Sequence, residues 1–122
     1  MEKIIKLTSE FTGKAVYFNP KRICFFIETE TVVDVCGDEF RIGVTEPWGE
    51  IGKIANEFGF IEFVRTDNAK HVLAQASTIA EWHEQGGGVL LEFGCNAVLV
   101  QGALEEVAAK IEKALDGERS KG

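Results

Sequence analysis

Arg22-Ile23-Cys24-Phe25-Phe26-Ile27-Glu28 is the most strongly β-prone stretch of this chain, and its reading decides the fold. Branched and aromatic residues fill it, the types that suit a pleated, packed surface. Moved 56 residues along without gaps, it lands on Thr78-Ile79-Ala80-Glu81-Trp82-His83-Glu84. Ile23 falls on Ile79, Phe26 on Trp82 and Glu28 on Glu84. Taken alone, Ser77 to Glu84 favours a helix through Ala76, Ala80, Glu81 and Glu84. The match with an extended stretch predicts a strand instead, because tertiary context overrides weak helix propensity.

The same shift aligns the apolar pattern almost end to end. Ile5 falls on Ile61, Lys14-Ala15-Val16 on Lys70-His71-Val72, Val33 and Val35 on Val89 and Leu91. Ile42 and Val44 fall on Val98 and Val100, and Glu50-Ile51 on Glu106-Val107. Few identities survive, so the match is one of spacing, which two copies of one unit would keep after their surfaces drifted. Strands are predicted over 4–8, 15–18, 22–28, 31–36 and 39–44, then over 60–64, 71–74, 77–84, 89–93 and 97–100. Trp48, Ile51, Ile54, Ala55 and Phe58 change to a helical period. Pro47 stands in the first turn, and Gly59 is placed to end the helix in the left-handed conformation. Leu104, Val107, Ala108, Ile111 and Leu115 mark a second helix, followed by a charged tail over 116–122 that is expected to fray.

The fold class expected is therefore α+β. Two tandem repeats, 1–58 and 59–115, each carry four or five short antiparallel strands followed by one helix, and pack as a pseudo-dimer. Each half alone is small enough for its core to be marginal, which favours two halves burying apolar surface together.

Composition narrows the function classes. At 122 residues, 45% of them hydrophobic, the chain reads as globular rather than disordered. No apolar run approaches the roughly 20 residues that span a bilayer. The start, Met1 to Leu7, lacks a signal-peptide core, so the protein is expected in the cytoplasm and away from membranes. Twenty acidic and 13 basic residues give a net charge of −7, which opposes a phosphate backbone. Lys14, Lys21 and Arg22 form the only loose basic group, so nucleic acid is not expected as a partner. Cys24, Cys36 and Cys95 make an odd set without CxxC spacing and read as free thiols, not as a zinc site.

No catalytic constellation emerges. Gly86-Gly87-Gly88 lacks the Lys-Ser/Thr and helix start of a phosphate loop and reads as a hairpin turn. Glu28, Glu84, Glu30 and Glu81 read as solvated strand faces, and His71 and His83 have no fixed nucleophile or base partner. The aromatic residues lead further. Phe25 and Phe26 are consecutive on a strand and must point to opposite faces. Phe26 and Trp82 occupy equivalent sites, so Phe25, Phe26, Trp48 and Trp82 are the candidate inter-repeat or partner interface.

Gly13-Lys14-Ala15-Val16-Tyr17-Phe18-Asn19-Pro20, preceded by Lys6-Leu7-Thr8 and followed by Ile23 and Ile27-Glu28, resembles the small FlbD/YlzI-like family of flagellar operons and short phage and bacterial proteins. The second half resembles it too, but has Ala74-Gln75-Ala76 where Asn-Pro would stand. The resemblance implies a β-rich cytoplasmic module of phage or mobile-element origin, without catalytic residues or cofactor. The leading expectation is thus a non-enzymatic protein-interaction or regulatory module with a protein partner, its open strand edges also allowing a homodimer. The alternative is a single-stranded nucleic-acid-binding protein, and the third reading is small-molecule binding in the inter-repeat cleft.

Overall fold

The computed structural model describes the backbone of residues 4–94 and 96–121, with side chains as far as 117. Readings that concern Met1 to Lys3 and Cys95 lie outside the described residues. The first half runs β1 (Ile5–Thr8), β2 (Ala15–Phe18), a 3-10 turn (Pro20–Arg22), β3 (Ile23–Glu28), β4 (Val33–Gly37), β5 (Arg41–Val44) and α1 (Trp48–Glu57). The second runs β6 (Ile61–Val64), β7 (His71–Ala74), a 3-10 turn (Ala76–Thr78), β8 (Glu81–Gln85), β9 (Gly88–Glu92), β10 (Ala97–Val100) and α2 (Leu104–Lys121). The architecture is mixed α+β, with ten strands in three antiparallel sheets and two helices among the described residues. Among the described residues, no helix is long and apolar enough to cross a membrane.

Residue chemistry explains the elements. Asn19 accepts the Lys21 N–H at 3.0 Å and Pro20 opens the first 3-10 turn, a capping geometry that needs no Pro N–H. Gly59 ends α1 at φ 76°, and Gly86 and Gly87 turn β8 into β9 at φ 51° and 83°. Gly37 is required for space instead, since a Cβ there would lie 2.7 Å from the Arg22 carbonyl oxygen and inside the Phe40 ring. The contested stretch 77–84 splits. Ala76–Thr78 is a 3-10 turn, and the strand begins at Glu81.

Strand registers recur at the same spacing. Ile5 faces Phe18 and Ile61 faces Ala74; Val33 faces Val44 and Val89 faces Val100. Phe25 faces Cys36 as Glu81 faces Glu92. Even the isolated Ser9–Val44 bridge has its fellow in Arg65–Val100. One pairing has no fellow. β3 and β7 join across the halves, Phe26 opposite Leu73, to make the five-stranded sheet β5-β4-β3-β7-β6.

That sheet lies between two cores. Ile23 and Phe26 face one with β1, β2 and α1, where Phe26 meets Phe60 of the second half at 5.3 Å between ring centroids. Cys24, Phe25 and Ile27 face the other with β9, β10 and α2, where Phe25 meets Phe93 at 4.9 Å. β3 is thus buried from Ile23 to Ile27. Gln75, in the place of Asn19, caps nothing. Its buried amide instead donates to the Pro20 and Ile23 carbonyls at 2.9 and 2.7 Å, tying the second 3-10 turn to the first.

Candidate functional site

Lys6 and Tyr17 are direct cross-strand partners on the outward face of the β1–β2 hairpin. Alternation along the two strands sends Ile5, Leu7 and Phe18 into the core, which forces Lys6 and Tyr17 outward. Tyr17 is 65% exposed, and the Lys6 ammonium stands 6.0 Å from its ring centroid. The loop between the strands is held by the Ser9 hydroxyl, which accepts the Phe11 and Thr12 N–H groups at 3.1 and 3.3 Å. Gly13 takes φ 70° within it, and Phe11 at the tip is 96% exposed. Glu46 fixes the hairpin from the far side, accepting both the N–H and the hydroxyl of Thr8 at 2.9 Å.

Immediately after β2, the 3-10 turn presents exposed Lys21 and Arg22. Between residues 4 and 22 stand four cations (Lys6, Lys14, Lys21, Arg22) and one acid (Glu10), a sum of +3 along this stretch of a chain of −7, with Glu46 bonded to Thr8 and Asp38 and Glu39 beside Arg22 as the nearest acids outside it. Beside them lies a cavity of about 320 Å³, lined by Tyr17, Arg22, Phe40 and Ile42 and also by the acids Asp38 and Glu39. Its apolar walls stand next to a guanidinium and an exposed phenol ring. Such a surface offers cations for phosphates and flat faces for stacking.

The second hairpin lacks this character. Glu62 occupies the place of Lys6 and binds His71 at 2.7 Å, while Leu73 occupies the place of Tyr17 and is buried with Phe60. Trp48 leans toward the same hairpin, 6.2 Å from the His71 ring. The residues predicted as an interface lie in two clusters rather than one, and Phe25, Phe26 and Trp48 each meet the second half, at Phe93, Phe60 and His71. Phe25 and Phe26 point into separate cores, Trp48 packs half-buried against the first and Trp82 half-buried against the second. Phe26 and Trp82 do not meet. Sequence reasoning passed over Lys6, Tyr17 and Phe11; the β1–β2 alternation could have exposed the first two.

Glu28 accepts the His71 N–H of β7 at 3.2 Å, while its counterpart Glu84 is exposed on β8. Glu81 and Glu92 face each other across β8 and β9, and with His83 their ligand atoms lie within 4.8 Å of one another. The Glu92 carboxyl titrates above its ordinary range, first because it shares a hydrogen bond with Glu81, then through burial and the Glu81 charge, with His83 opposing. A raised carboxyl holds its proton better in the folded chain, so this contribution is present below the unfolded pKa and lost as pH rises through the folded one. Glu92→Gln should therefore melt higher than the parent at neutral pH. That gap should close near the ordinary carboxylate pKa of 4.5 in a thermal series against pH, and a pH-independent gap would refute the assignment. Cys24 and Cys36 are buried, the Cys24 thiol donating to an Asp38 carboxylate oxygen at 3.7 Å, and burial pushes the Cys36 thiol up to about 12, which leaves it inert as a nucleophile near neutrality.

No protein-family model matches the sequence, and no curated protein matches it. In structure the chain is similar to the LytTr DNA-binding domain of a Bacillus cereus protein described as a methyl-accepting/DNA response regulator. The TM-score is 0.62 at 13% identity, over 94% of this chain and 98% of that one. The likeness establishes the fold. It also corrects the FlbD/YlzI-like resemblance: the fold that matches is that of a LytTr domain, and the motif that suggested the other family consists of turn formers and core spacings. With that family goes the expectation of a protein-interaction or regulatory module with a protein partner. The exclusion of nucleic acid falls as well, because it averaged charge over the whole chain while the hairpin gathers cations locally.

Proposed function

We propose that this chain is a nucleic-acid-binding module whose contact surface is the β1–β2 hairpin with the 3-10 turn behind it. The observation that carries the reading is the set of four cations over residues 4–22 with exposed Tyr17 and Phe11, on a fold shared with a DNA-binding domain. Lys6, Lys14, Lys21 and Arg22 neutralise phosphates, while Tyr17 and Phe11 offer ring faces to bases. Ring stacking is available to unpaired bases and not to the interior of a duplex, so single strands are the preferred ligand. Acidic groups on the far half weigh little at the contact, because fields fade over a Debye length of about 8 Å at physiological salt. The reading places the protein in the cytoplasm as a binder, with no reaction assigned to it. Its architecture is that of one unit doubled, 1–58 and 59–115, and the recurring registers support that origin.

Anisotropy titration of a labelled single-stranded oligonucleotide tests the proposal. Four phosphate contacts give a log–log slope of affinity against salt of about −3 on single strands. Tyr17→Ala should weaken binding by about 1–3 kcal/mol, the range for one stacked base. Binding absent at low salt, or insensitive to salt, would overturn it.

A further inference from the structure

The β3·β7 pairing is the single strand pairing without a counterpart 56 residues away, and its counterpart edges are both open. β2 occupies the position of β7, and β8 that of β3. Yet β2 belongs to a two-stranded sheet and β8 ends a three-stranded one, so the outer edge of each is unpaired among the described residues. Open edges of this kind template pairing with another chain. We infer that the β2 edge of one copy of this protein pairs with the β8 edge of a second copy, repeating between molecules the junction that β7 and β3 make within one.

Register fixes the contacts. Phe25, Phe26 and Ile27 face Ala74, Leu73 and Val72 inside the chain. Between copies, Glu81, Trp82 and His83 of one molecule face Phe18, Tyr17 and Val16 of the other. Glu28 accepts the His71 N–H of the strand laid beside it. Glu84 is the same residue in the same place, and the N–H it would receive is that of Ala15. α1 flanks the outward face of the second hairpin, with Trp48, Gly49, Gly52 and Asn56 bordering a groove with Glu62 and Leu73. The matching residues of α2 are Leu104, Glu105, Ala108 and Glu112, which would overlie Lys6 and Tyr17. Charges agree with this occupant. The donor hairpin carries Lys6, Lys14, Lys21 and Arg22 against Glu10, with Asp38 and Glu39 across the cavity beside β2, and the acceptor side carries Glu81, Glu84, Glu105 and Glu112. A neutral or like-charged pair of surfaces would not choose one another in this way.

The junction is head-to-tail, so each added copy leaves one edge of each kind open, and the product is a short linear chain rather than a closed dimer. It covers the same hairpin face that nucleic acid would use, so the two occupancies exclude each other. Self-association stands whether or not nucleic acid binds.

Sedimentation of the full chain without nucleic acid, over rising concentration at low salt, should show the average mass climbing past one copy and falling back as salt is added. Tyr17→Pro removes the N–H that points away from β1 and should hold the protein monomeric, while leaving its circular dichroism unchanged. If that variant fails to fold, mixing Val16→Cys with His83→Cys protein, both in a Cys95→Ser background, gives an independent answer. Under oxidation the two should form one disulfide between positions 16 and 83, found by peptide mass spectrometry. A monomer at every concentration, or a dimer that forms no 16–83 link, would overturn the inference. Failure here would leave oligonucleotide binding by the monomer intact, and failure of oligonucleotide binding would leave the 16–83 link intact.

Discussion

Phe26→Ala is expected to remove about 3–5 kcal/mol of stability, the range for deleting a buried aromatic ring and leaving a cavity. Phe26 is fully buried at the centre of β3, the middle strand of the five-stranded sheet. Its ring joins the first half, through β1, β2 and α1, to Phe60 and Leu73 of the second. Few neighbours can collapse into the space, since the other face of the same strand is committed to the second core through Phe25 and Ile27. Against the total of about 5–15 kcal/mol typical of a domain, the loss is large enough to leave much of the variant unfolded. Urea titration followed by tryptophan fluorescence measures it. A loss below about 1 kcal/mol would mean that the two halves do not depend on this ring. Phe26→Leu, which keeps most of the volume, should lose distinctly less.

The second large effect concerns binding. Lys6→Glu combined with Arg22→Glu takes the sum over residues 4–22 from +3 to −1 while leaving both cores untouched. Removing one cation from a phosphate lowers the salt slope by about one, and the two new acids repel the strand. Affinity at low salt should fall by more than tenfold, and the slope should shrink from about −3 to about −1 as two of the four contacts are lost. Lys53→Glu, which makes the same kind of charge reversal on the exposed side of α1, should cost little by comparison. Equal losses from the two variants would point to diffuse attraction rather than a site.

Local structure was legible because the residues that set it are local. The predicted strand over 22–28 forms from Ile23, with Arg22 left in the 3-10 turn before it, the Trp48 to Phe58 period names a helix, and Gly59 ends it. Spacing also resolved Ser77 to Glu84 in favour of extended structure, although Ala76 to Thr78 keeps a 3-10 turn that alternation cannot announce. Longer-range features left no such trace. Nothing in the pattern says that β3 would pair with β7, or that one strand would serve two cores through its two faces. Gln75 read as the loss of a turn former, whereas its amide is a joint between the halves. The candidate site was missed for an electrostatic reason. Net charge is a sum over the chain, but a ligand meets the few groups within a Debye length, and strand pairing places Lys6 with Tyr17, 11 residues apart in sequence.

The most direct trial of the account is backbone amide NMR of the chain during titration with a single-stranded oligonucleotide at low salt. Shifts concentrated at Lys6, Phe11, Lys14, Tyr17, Lys21 and Arg22, fading as salt is raised, are the predicted result. Shifts gathered on β6–β10 and α2 with the hairpin silent, or no shifts at all, would contradict it.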